Sequence, residues 1–409
     1  MRAAAMAVVW VLAMMASVRV WADQQPAPPP KQPDPQQSQQ QQQSGLPDLP
    51  GKIKIDQAGT ILFTDHFGIV FGGIKQGSSI AAGPAASWTF ANGAYLQIKG
   101  GFSVRQFKLA QVRYDSRRFL GDRAVISTRL RWQDAPTLPL FQPGPDSPDR
   151  HVDIAMTKTE WSAFMRTRVA PAMTLTVGSG VEGYSSKGKW SDLAEALDRL
   201  GELPDAPGLS TRPVYIRSFA IASHDTRLSP EFSRTGHLLE AGFYHYHDGH
   251  VGTQSFQRFE LAAAQLLPMF RIQDAPRAKG PTRYKSALGV FARAWMSHTG
   301  TDDNVPIYLQ TFLGGGDYLR GYSSYRFHDR NALLVGTEYR YAVHKMVDVA
   351  LLLEAGTVAR TPSAFNVDDL APSVAAGVRV HSKTSGLLRL DLAHGRDGFK
   401  VAIGLSTGS

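Results

Sequence analysis

The sequence predicts an all-β protein, a transmembrane antiparallel β-barrel, and three observations carry that prediction. The chain opens with an export signal, no later segment is apolar enough to cross a membrane as a helix, and period-two alternation recurs over runs close to spanning length.

The export signal is read from Met1-Arg2, the apolar run Ala3 to Val18, and the small-residue site Val20-Trp21-Ala22. A signal peptide over residues 1–22 is therefore expected, with the mature chain starting near Asp23. The run is too short for a spanning helix, which needs ~20 apolar residues, and Arg19 interrupts it. Beyond Val18 nothing approaches ~18 consecutive apolar residues, so any membrane-embedded form must cross with strands. A hydrophobic content of 43% and a mean hydropathy of −0.21 suit a barrel, whose lipid-facing apolar positions alternate with polar lumen positions. The same values suit a soluble β-rich enzyme, so composition does not separate the two.

The 409 residues include no cysteine, which removes disulfides, thiolate nucleophiles and Cys-ligated metals. Lysines and arginines number 44 against 35 acidic residues, a net charge of +9. These basic residues are scattered rather than gathered in a block, so the charge points to a positive lumen or to anionic lipid and not to nucleic acid.

Residues 23–52 are rich in Gln and Pro, including Pro28-Pro29-Pro30 and Gln39 to Gln43, and are expected to be a disordered periplasmic tether. The barrel is expected over 53–409. Ala124, Ile126, Thr128, Leu130 and Trp132 share one face of a strand, opposite Val125, Ser127, Arg129, Arg131 and Gln133. Leu333, Val335, Thr337, Tyr339 and Tyr341 oppose Leu334, Gly336, Glu338 and Arg340; Val347, Val349, Leu351 and Leu353 oppose Asp348, Ala350, Leu352 and Glu354. At the C-terminus Phe399, Val401, Ile403 and Leu405 oppose Lys400, Ala402 and Gly404. Such runs approach the ~9–11 residues that a tilted strand needs to cross the hydrocarbon layer. Ala91-Asn92-Gly93, Asp248-Gly249 and Arg396-Asp397-Gly398 supply hairpin chemistry, and Trp88, Phe90, Tyr339, Tyr341 and Phe399 fit interfacial girdles. One stretch, Ser191 to Gly201, reads as a short capped helix in a long loop.

Two motifs invite chemistry and are outweighed. Gly178-Ser179-Gly180-Val181-Glu182-Gly183 has dinucleotide-site spacing, but Tyr184 to Gly188 opens no helix to hold a pyrophosphate. His245, His247 and His250 could approach a metal, yet Asp248-Gly249 marks a hairpin tip where histidines are solvated. With no H-E-x-x-H or P-loop, the reading is of a non-enzyme with no catalytic residues, metal or cofactor.

The strongest constellation is Leu313-Gly314-Gly315-Gly316-Asp317-Tyr318-Leu319-Arg320-Gly321-Tyr322, followed by Glu338-Tyr339-Arg340 and Leu353-Glu354-Ala355-Gly356-Thr357-Val358. Further on come Ala376-Gly377-Val378-Arg379-Val380 and Gly386 to Ala393, and upstream Asp225-Thr226-Arg227 with Pro230 and Gly236. In this order the motifs resemble the BamA/TamA superfamily of outer-membrane barrels. The resemblance implies sixteen strands and a loop folded into the lumen, bearing Leu319, Arg320, Gly321 and Tyr322, whose arginine meets the acids Glu338 and Glu354. Alternation independently sets both acids on lumen-compatible faces, where they could offset the desolvation of a buried guanidinium.

What the resemblance implies in function is assistance to insertion, folding or translocation of protein or lipid at the bacterial outer membrane, with lipid and client barrels as partners. A homodimer is compatible with this. The chain departs from the family in ending without a terminal aromatic and in placing no POTRA domains ahead of the barrel. The alternative is a passive pore or structural barrel with a plugged lumen.

Overall fold

The computed structural model describes residues 54–55, 61–62, 64–187, 211–227, 233–270, 284–301, 303–381 and 386–405. The expected signal peptide, the expected tether at 23–52 and the expected helix at 191–201 lie outside the described residues.

Sixteen antiparallel strands form a nearly closed barrel. The first four are short: β1 (Phe67–Gly72), β2 (Ala81–Thr89), β3 (Tyr95–Ser103) and β4 (Lys108–Asp115). The tall wall follows with β5 (Ala124–Leu140), β6 (Val152–Ala170) and β7 (Met173–Lys187). Next come β8 (Val214–Asp225), β9 (Gly236–Asp248), β10 (Phe256–Pro268) and β11 (Ser286–Thr299). The last are β12 (Asn331–His344), β13 (Val347–Ala359), β14 (Ala371–His381), β15 (Gly386–Gly395) and β16 (Gly398–Leu405). Each strand is laddered to its neighbour in chain order, as in the unbroken β15–β16 register from Leu388↔Leu405 to Gly395↔Gly398.

Alternation decides which way each side chain points. On β13, Val349, Leu351 and Leu353 are exposed to the lipid side while Asp348, Ala350, Leu352 and Glu354 are buried inside. On β16 the exposed set is Phe399, Val401 and Ile403, with Ala402 inside; on β5 it is Ile126, Leu130 and Trp132, with Ser127 inside. The motif Gly178 to Gly183 lies within β7 and begins no helix. Its glycines serve strand packing: a Cβ on Gly178 would lie 2.4 Å from Phe164 Cβ, and one on Gly180 would lie 2.3 Å from the Trp161 carbonyl oxygen. His245 and His247 stand on β9, and Asp248 accepts the backbone N–H groups of His250, Val251 and Gly252, making the expected turn.

One junction differs from the others. β1 and β16 come close, but among the described residues no ladder joins them. On that edge of β1, among the described residues, Gly68 and Ile69 are laddered with Leu62 and Ile61, and these in turn pair with residues 54 and 55.

Candidate functional site

The connection between β11 and β12 packs against inward-facing residues of the barrel strands. Its residues 311–313 and 327–329 form a small ladder of their own, and a buried apolar cluster of Leu313, Leu319, Tyr322, Phe327, Leu334 and Val358 seats it against β12 and β13. A second cluster, with Ile307, Tyr308 and Tyr325, packs on Tyr184, Tyr215 and Tyr246 of β7 to β9. Burial of these side chains supplies the driving force for docking the loop.

The turn at its tip is tight because Leu319 adopts φ 57, a left-handed conformation that costs a non-glycine residue on the order of 1 kcal/mol. That turn aims the Arg320 backbone N–H at Glu354 Oε2, 2.9 Å away, while Arg320 Nη1 donates to Glu354 Oε1 at 3.3 Å. Arg320 Nε donates to Gly316 O at 3.2 Å and lies 3.3 Å from Asp391 Oδ2. Arg320, Glu354 and Asp391 are all buried. Gly321 N donates to Ser373 Oγ at 2.7 Å, and no side chain fits here, because a Cβ would stand 2.5 Å from the His394 carbonyl oxygen. Tyr322 Oη donates to Pro372 O at 3.0 Å and accepts from Arg396 N at 3.3 Å.

Glu338 stands differently from the expectation. It shares the cavity with Arg320, but its ion pairs are with Arg340 and Arg379, each at 2.9 Å. Arg379 also binds Asp391, so Glu338 is linked to Arg320 through Arg379 and Asp391 rather than by direct contact. Asp391 is the second carboxylate of the arginine. Alternation had the signal for it: Leu390 and Leu392 are exposed, which places Arg389, Asp391 and Ala393 inside. Arg389 completes the set, pairing with Asp317 at 3.2 Å and lying 3.6 Å from Asp391. Arg320, Arg340, Arg379 and Arg389 thus face Asp317, Glu338, Glu354 and Asp391, a cluster whose formal charges cancel. Each ion keeps a partner, as burial requires.

The opposite wall carries a second network that the sequence reading did not single out. Glu160 of β6 accepts from Arg129 at 2.7 Å and Lys158 at 3.0 Å; Glu182 of β7 pairs with Lys158 at 3.0 Å and Arg217 at 2.8 Å. Beneath the loop a cavity of about 490 Å³ is lined by arginines 227, 293, 320, 340, 379 and 389 and by apolar residues of β10 and β11. Among the described residues no group of histidines and carboxylates is arranged to hold a metal ion.

An antiparallel barrel with a Leu-Arg-Gly-Tyr loop docked on β13 to β15 agrees with what a comparison of families finds: the Omp85 superfamily domain matches residues 89–406. The chain belongs to the Omp85 superfamily. It is accordingly a bacterial outer-membrane β-barrel, and the resemblance to BamA/TamA barrels holds. No curated protein matches it. Among solved structures, BamA from Haemophilus ducreyi lacking POTRA domains 1-3 is similar with a TM-score of 0.60 and 12% identity, over 84% of this chain and 70% of that one. CdiB from Escherichia coli is similar at 0.52 and 12%, over 84% and 62%, and CdiB from Acinetobacter baumannii at 0.50 and 10%, over 83% and 59%. The chain spans less than two thirds of either CdiB. At these identities the likeness speaks for the Omp85 fold alone.

Proposed function

We propose that this Omp85 barrel assists insertion, folding or translocation of protein or lipid at the outer membrane, and that it works at the β1–β16 seam. The observation that carries the reading is that, among the described residues, no ladder joins those two strands. Backbone groups facing lipid without partners are costly, and an unpaired strand edge is a template for an incoming strand. No nucleophile or cofactor is needed for this, since the work is the exchange of backbone hydrogen bonds.

The test is the folding of an unfolded eight-stranded client barrel into vesicles with and without this protein, followed by the gel shift of the folded client. Acceleration by the protein is expected; a rate equal to that of empty vesicles overturns the reading. A structural barrel is the second reading, favoured by the loop packed against inward-facing residues of the strands. It predicts no effect on the client, and a passive pore predicts a steady large single-channel conductance.

A further inference from the structure

The seam leaves a mechanical question: something other than a ladder must keep β1 beside β16. Residues 314–326 of the lumen loop touch the chain on both sides of it. On the β1 side, Gln76, just beyond the end of β1, donates through Nε2 to Gly314 O, and its own carbonyl accepts from Tyr325 Oη at 2.8 Å. The Lys75 amino group stands over the Tyr325 ring, 5.7 Å from its centroid. On the other side the contacts are to the hairpin of β15 and β16. Arg326 Nε donates to Asp397 Oδ2 at 2.7 Å, Arg396 N donates to Tyr322 Oη at 3.3 Å, and Arg389 donates to Gly316 O.

Between these two sets of contacts the segment is not slack. Gly314 N donates to Tyr318 O, Gly315 N to Tyr322 O, Tyr322 N to Leu319 O and Arg326 N to Ser323 O. The positive φ values of Gly314 and Gly315 make this compact folding available. A pull on one side is therefore transmitted to the other rather than absorbed by extension.

We propose that residues 314–326 are a strap that holds the seam closed, fastened to β1 through Gln76 and Tyr325 and to β16 through Arg326 and Asp397. Releasing either fastening lets the two strands separate while the ladders around the rest of the barrel remain intact. Gln76, Tyr325, Arg326 and Asp397 act as positioning residues. The inference rests on the proposed function only for what an open seam is used for.

Because the natural chain has no cysteine, two introduced ones report alone. Phe71 and Val401 are exposed residues of β1 and β16, and spin labels at Phe71→Cys and Val401→Cys measure the width of the seam in the full-length protein in vesicles. With the strap intact, one narrow distance is expected. Tyr325→Phe combined with Gln76→Ala on one side, or Asp397→Asn on the other, should each add a population longer by ~5 Å or more, about one strand spacing. Tyr325→Phe alone keeps the ring in place and removes only its hydroxyl, so it serves if the double variant fails to give a heat-modifiable barrel. Unchanged distances in the folded variants overturn the strap, as does a broad distribution in the parent protein. A seam that widens in a protein that does not speed client folding would sink the insertion reading and leave the strap standing.

Discussion

Arg320 carries the highest stakes of any single side chain in the lumen. Replacing it with Ala leaves Glu354 buried without its ion-pair partner, while Asp391 keeps Arg379 and Arg389, at an expected cost of ~3–5 kcal/mol. The urea midpoint in micelles reads that loss, and Glu354→Gln in the Arg320→Ala background should recover part of it. Additive effects of the two substitutions, within a few tenths of a kcal/mol, would mean that the arginine is solvated and holds nothing. His328 gives a second test at this scale. Its Nε2 donates to Phe141 O at 2.7 Å and its Nδ1 faces the Gln310 side-chain amide, and burial pushes the ring down from 6.5 to about 4. A folded value below the unfolded one means that the unfolded chain takes up the proton first. Stability is then complete above pH 6.5 and falls between 6.5 and about 4, by a total on the order of 3 kcal/mol. His328→Gln, which has no proton to gain, should flatten that fall in urea midpoints taken across the range.

At the scale of the element, Gly321 decides whether the loop can seat. The atoms that a Cβ would meet are backbone atoms of His394 and Gly395, held in the β15–β16 hairpin, so neither partner can give way cheaply. Gly321→Ala should cost ~1–3 kcal/mol as an overpacked contact. It should also expose Arg320 and Arg326 to trypsin added to the protein in micelles; resistance equal to that of the parent protein would show that the loop tolerates the methyl group. The strands themselves were legible in the sequence because lipid on one side and lumen on the other impose a period of two, which is plain in Val347 to Glu354. The same rule showed that Glu338 and Glu354 face inward but not which arginine each would meet. A barrel wall curves, and the position of a side chain around it depends on register rather than on alternation. Asp391 could have been found by that rule, whereas the Gln76–Tyr325 contact, 249 residues apart in sequence, leaves no local trace.

For the molecule as a whole, the Gln/Pro-rich segment is expected to contribute nothing to the barrel. Deleting Asp23 to Gly51 while keeping the export signal should leave the heat-modifiable band on unboiled gels, and its loss would assign the segment a structural part. The unequal strands have a consequence for the membrane itself. β6 runs for 19 residues and β5 for 17, against 6 in β1 and 8 in β16. At ~3.3 Å per residue and a tilt of ~45°, β1 rises only about 14 Å, well short of the ~30 Å thickness of the acyl-chain region. Lipids beside the seam must therefore thin or tilt to meet a low wall, at fractions of a kcal/mol for each ångström of mismatch, while those beside β5 and β6 rest undistorted. Folding of this barrel into vesicles should accordingly be faster with 12-carbon than with 18-carbon lipids, and equal half-times would show that the low side imposes no strain. If the rates differ as expected, the bilayer is deformed along one flank of a resting protein, and a chain arriving there meets a thinner barrier than it would anywhere else on the circumference.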